Sequence, residues 1–170
     1  AAIIFELDCS HALGIKRYTL GFAMRLPVPT QTDWGDYSAD LDQKWAHDHF
    51  SGRTNDEMRP YFRGHPIEGA SDLRFMPEIP FRYYMLGYRD YVRSGDLDVL
   101  DAPDAASCFL ELVDQKLTER PHYIIPIMDE LLPAIEYVAQ NQAAFGADEQ
   151  IYGNFIERFA RIRALYEANT

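Results

Sequence analysis

His47 and His49 flank Asp48 and are the only two histidines this close together in the chain. On an extended strand, residues i and i+2 point the same way, so the pair would hold one metal ion. On a helix the two rings lie about 200° apart and cannot chelate together. A third ligand would have to come from elsewhere, from His65 or His11. One reading is therefore a metal-dependent hydrolase using His47, His49 and a third ligand. The opposing reading follows the helical pattern around them, with His49 at the edge of the core and His47 on the surface.

A second group is the run Arg59-Pro60-Tyr61-Phe62-Arg63-Gly64-His65-Pro66. Guanidinium groups present a planar fork suited to carboxylate or phosphate, and a glycine lets a ligand come near the backbone. His65 would supply an acid–base group near neutral pH. The alternative is a structural loop whose arginines pair with Asp56, Glu57 and Glu68. Downstream, Arg82, Arg89 and Arg93 project within about 40° of one another on a helix, beside Tyr84, Tyr88 and Tyr91. Together Arg59, Arg63, His65, Arg82 and Arg89 outline a pocket for a small anionic ligand, or their charges are absorbed by acids of the chain itself. Arg158 returns to the apolar face of the last helical pattern, where it pairs with Glu111, Asp114 or Glu136, or lies at the rim with its stem covering apolar surface.

No sequence motif for a phosphate loop, a dinucleotide fold, a zinc protease or a nucleophile elbow occurs. No cofactor is implied. Cys9 and Cys108 are the only cysteines, too few for a disulfide framework. That suits a reducing compartment, and the expected location is cytoplasmic.

Charge is distributed unevenly over the 170 residues, whose net charge is -11. Residues 96–150 carry 12 acids against Lys116 and Arg120. The 95 residues before them are nearly balanced. Such a surface repels a phosphate backbone, so nucleic acid is not an expected partner. No stretch approaches the ~18 consecutive apolar residues of a membrane span. The expected function is a soluble intracellular binding or interaction protein with an acidic helical surface and a basic protein partner, or plain solubility from the same charge.

The elements that must position these residues are mostly helical. From Tyr18 to Val28 apolar residues fall on every second position, as in a strand with one buried face. With residues 3–9 this makes a hairpin; Ile15, Tyr18, Phe22 and Leu26 also fit a helix. Thr19 and Gly21 tilt the choice to the hairpin. A short helix is expected over 39–50 with Leu41, Trp45 and His49 inward, and another over 55–62. After it an irregular stretch reaches residue 79, the best place for a site on position alone. Helices follow from Pro80 to Gly95, from Asp101 through Leu117, over 122–144 with a kink or break at Pro133, and from Asp148 to the end. The expected fold is α+β and helix-dominated, one domain over 1–170. A C-terminal bundle of four or five helices carries the short N-terminal β-hairpin or extended segment. The expected core includes Phe22, Trp45, Phe81, Tyr84, Phe109, Leu110, Val113, Leu131, Ile135, Phe155 and Phe159. The tyrosine stripe is core, or the face of a homodimer.

Overall fold

Most helix starts among the described residues are set in one of two ways, by a side-chain oxygen or by a proline. In the computed structural model, which describes residues 26–170, Asp40 accepts the amides of Asp42 and Gln43 at 2.9 and 3.0 Å and opens α1, Leu41–Phe50. Thr54 and Glu57 cap each other reciprocally at the start of α2, Asn55–Gly64. These bonds satisfy amides that have no partner within the helix. Proline does the same work differently, because it has no amide to satisfy. Pro66 starts α3, Pro66–Phe75, and Pro77 precedes α4, Glu78–Arg93. Pro103 lies in the first turn of α5, Ala102–Glu119, and Pro121 opens the single turn α6, Pro121–Ile124. A 3-10 turn at Ile125–Ile127 leads into α7, Met128–Gln140. Asp148 caps the short α8, Glu149–Tyr152, and Asn154 caps α9, Phe155–Ala168.

The tyrosine helix α4 is the most enclosed, with ten of its 16 residues buried. It packs against α2 on one side and α7 on another, while α5 bridges α3 and α9. Its tyrosines are core residues, and two of them engage backbone carbonyls through their hydroxyls. The Tyr84 hydroxyl lies against the carbonyls of Phe50 and Arg53, and that of Tyr88 against those of Pro66 and Ala105. One helix thus ties the ends of α1 and α3 to α5 through buried hydroxyl donors, which would be costly if left unpaired.

The expected α+β class is overturned: the described residues hold helices and turns and no strand. Most of the expected hairpin falls in residues 1–25, outside the described residues. Its last positions, 26–28, have no sheet partner, and Leu26 and Val28 pack on the helical core instead. Trp45 is not core. Helix α1 turns Ala46 and Phe50 inward, leaving Trp45 60% and Leu41 84% exposed. Phe50 wins that place because its ring fits among Phe62 and Tyr84, with centroids 5.7 and 4.9 Å away. Phe159 is only partly buried, and Phe22 lies outside the described residues. The other expected core residues are buried.

The stretch expected to be irregular is largely α3. Gly69 does not break it, because the glycine sits where α2 comes close: a Cβ there would lie 2.7 Å from the Phe62 ring. Pro133 does not break α7 either; the interruption falls earlier, at the 3-10 turn holding Pro126. The last expected helix is two, divided at Gly153, whose φ of +73° suits glycine. No helix among the described residues is long and apolar enough to cross a membrane.

Candidate functional site

The arginines singled out in the sequence are spread over separate places. Arg63 pairs with Asp96 at 3.2 Å, and Arg59 and His65 are exposed, the latter ring 5.4 Å from Tyr61. Arg82 gives its guanidinium to Glu78 and to the carbonyls of His122 and Tyr123. Arg89 binds Asp90 and Glu130 at 2.7 and 3.0 Å. The structure does not bring these five side chains together. Among the described residues Arg158 meets no carboxylate: it donates to the Ser107 carbonyl and hydroxyl and to the Tyr152 carbonyl, while Arg161 takes Asp114.

The histidine pair also diverges. The His47 ring stacks on Tyr37 at 3.6 Å, with Nε2 3.0 Å from the Gln31 carboxamide oxygen. His49 holds the Trp45 carbonyl through Nδ1 at 3.0 Å and stacks on Tyr61. Among the described residues, no three His, Cys, Asp or Glu side chains are grouped to hold a metal. The Cys108 thiol is held up at about 11 by burial, so it is protonated and unreactive near neutral pH.

A cavity sits elsewhere, in the acidic third of the chain. It begins where α4 stops. The Ser94 hydroxyl donates to the Tyr91 carbonyl at 2.8 Å and accepts the Asp96 amide, and Gly95 turns the backbone at φ +70°. The connector that follows alternates acids with apolar residues: Asp96, Leu97, Asp98, Val99, Leu100, Asp101. Asp98 pins it by accepting the Leu100 amide at 3.0 Å. Leu97 is half-buried; Val99 and Leu100 are 85% and 84% exposed.

The opposite wall is the end of α7 and the loop after it. Tyr137 meets Phe145 edge-on, with centroids 6.1 Å apart. Gln142 holds this loop in shape. Its amide donates to the carbonyls of Ala147 and Gly153, and its oxygen accepts the Phe155 amide at 2.9 Å. Between the walls lies a cavity of about 290 Å³, lined by Val92, Leu97, Val99, Ala102, Tyr137, Ala143, Ala144 and Phe145 with Gly95 and Gly146. No charged side chain lines it, yet Asp96, Asp98 and Asp101 adjoin its lining residues in the chain. Behind the connector the Tyr91 hydroxyl is buried without a hydrogen-bond partner among the described residues. Burial first, and then Asp101, push it up to about 12.

The volume is at the low end for ligand pockets. Its chemistry suits an apolar group whose neighbours are positively charged. Among the described residues Tyr137 is the only lining residue with a polar side-chain group, so the arrangement is built for contact rather than proton transfer. Sequence reading missed it because the walls come from distant segments. The one local signal was the apolar triplet Leu97, Val99 and Leu100 set among acids in a connector, where surface loops normally carry polar residues. No protein-family model, no curated protein and no solved structure matches this chain.

Proposed function

We propose that this protein is a binding module for a basic partner, which it holds by an apolar anchor in the cavity between the α4–α5 connector and the α7–α8 loop. The supporting observation is the coincidence of an apolar cavity, an almost fully exposed Val99 in its lining with the equally exposed Leu100 next in the chain, and the most acidic third of the chain. Interfaces draw most of their affinity from a few apolar anchors, while charge around them sets partner choice and association rate. Exposed Val99 and Leu100 have no role in the core, and burial against a partner gives them one.

The test uses three short peptides on the full chain: lysine–leucine, lysine–serine of equal charge, and glutamate–leucine of equal apolar content. The lysine–leucine peptide binds best, and its affinity falls about tenfold as salt is raised, because the charges are screened. Ala144→Phe fills the cavity from an exposed position and weakens that peptide by about tenfold. Equal binding of the lysine–serine peptide, indifference to Ala144→Phe or no binding by the lysine–leucine peptide overturns the reading.

A further inference from the structure

A second concave site lies between α1 and α3, on other elements than the apolar cavity. Asp42 and Trp45 come from α1, and Glu68, Ser71, Asp72 and Phe75 from α3, around a cleft of about 160 Å³. Three of the six are carboxylic acids and none is a base. Asp72 is the unusual one, at only 6% exposure. Its Oδ2 accepts the Tyr61 hydroxyl at 2.8 Å, and among the described residues Oδ1 has no hydrogen-bond donor and the carboxyl no salt bridge. A buried carboxyl without a cation is costly, and a second and third acid beside it raise the cost.

The aromatic walls have no structural partner at the mouth of the cleft. Trp45 is 60% and Phe75 37% exposed. Trp45 is nonetheless braced, because the His49 ring lies 4.6 Å from it and anchors to its carbonyl. His49 stacks in turn on Tyr61, the residue that holds Asp72. The pocket thus combines a buried carboxyl, held by a supporting shell, with two aromatic rings that are partly exposed.

We infer that this cleft binds an organic cation, a guanidinium or quaternary ammonium group, with Asp72 as counter-ion and Trp45 and Phe75 as the ring walls. Rings attract such cations through their electron-rich faces. A compact metal ion needs several converging oxygens, and the acids here form no such group. Burial holds the Asp72 carboxyl above the usual range while the Tyr61 hydrogen bond pulls it down. An entering cation favours the ionised carboxyl, so binding tightens as pH rises through the Asp72 titration. The titratable groups facing Asp72 are Tyr61, His49, Glu68 and Asp42.

The test is titration of the full chain with N-acetyl-argininamide and with tetramethylammonium, followed at the methyl protons of each ligand by NMR. The neutral N-acetyl-citrullinamide serves as control. The tighter of the two cations tells whether the natural source is an arginine side chain or a free quaternary amine. Saturable binding of either, lost by about tenfold or more in Asp72→Asn and in Trp45→Ala, is the expected result. Trp45→Ala removes an exposed ring, so it reports even if Asp72→Asn folds poorly. Ala144→Phe, remote from this cleft, leaves it unchanged, which separates the inference from the proposed peptide binding. Absence of saturable binding, equal binding of the citrulline compound, or wild-type affinity in Trp45→Ala overturns it.

Discussion

The side chain of Asn55 rests on the backbone of Gly87. A Cβ at position 87 would lie 2.4 Å from the Asn55 Oδ1 atom and 2.6 Å from its Cγ. The Asn55 amide donates to the Tyr83 carbonyl one turn earlier, at 2.9 Å. The start of α2 is thereby locked onto the middle of α4. Gly87→Ala gains about 1 kcal/mol of helix propensity but forces this carboxamide out of place, at a cost of about 1–3 kcal/mol. Thermal unfolding is expected to show a net loss of stability, largely restored when Asn55→Ala is added. A stabilised single variant contradicts the packing described.

Asp72 makes stability depend on pH in a defined direction. Its carboxyl is raised in the folded state, so the folded chain holds this proton more tightly than the unfolded chain does. Its unfavourable contribution is absent below the unfolded value near 3.8. It grows as pH rises through that value towards the raised one. Asp72→Asn keeps an acceptor for Tyr61 and removes the charge. Melting near neutral pH is expected to be higher in the variant, with the gap closing in acid. A variant less stable than wild type at neutral pH contradicts this.

Lys116 behaves in the opposite sense. It is 3% exposed, donates to the Arg74 carbonyl at 2.8 Å and lies over the Phe81 and Tyr123 rings at 4.5 and 5.0 Å. Burial lowers it to about 8. Its cost is therefore full below about 8 and disappears as pH rises to its unfolded value of 10.5. Lys116→Met forfeits one hydrogen bond and two ring contacts but removes a buried charge, for a net gain of about 1 kcal/mol near neutral pH. Denaturant titrations at two pH values measure it, and the advantage must shrink in alkali.

Gln142 is the clasp of the cavity wall. Gln142→Ala leaves the Phe155 amide and the carbonyls of Ala147 and Gly153 without their partners. The expected loss is about 1–3 kcal/mol. Hydrogen exchange at the Phe155 amide should accelerate more than at amides in the middle of α4. Uniform exchange throughout would mean that the clasp is not local.

Val99 and Leu100 do little for stability. Exchanging both for serine is expected to change unfolding free energy by no more than about 0.5 kcal/mol, as for most surface positions. The same change should lower binding of a neutral apolar dye such as Nile red. A large drop in melting temperature would place them in the core instead.

How far these features could be read in advance depended on the range of the interactions behind them. Helices α4 and α5 were legible because their apolar periodicity and early prolines act within a turn or two. Tyr84 and Phe109 were placed in the core on that basis, and they are buried. Trp45 was misplaced because periodicity finds an apolar stripe without saying which of two stripes is covered. Ala46 and Phe50 occupy the inner one. The arginine pocket was inferred from the Arg59–His65 run and from neighbours along the next helix, but Arg63, Arg82 and Arg89 each meet a partner far along the chain, as when Arg89 meets Glu130 across 41 positions.

The chain by itself determined where most helices begin and that its acids concentrate in residues 96–150, since caps, prolines and charge are properties of short segments. Tertiary structure decided that the described residues form no sheet and that the tyrosines face inward. It also decided that Leu97 and Val99 meet Tyr137 and Phe145 around a cavity, and that Asp72 lies buried beneath an exposed tryptophan. These outcomes depend on which surfaces meet when helices pack. Packing is a competition among distant side chains for the same space, and no local pattern encodes its result.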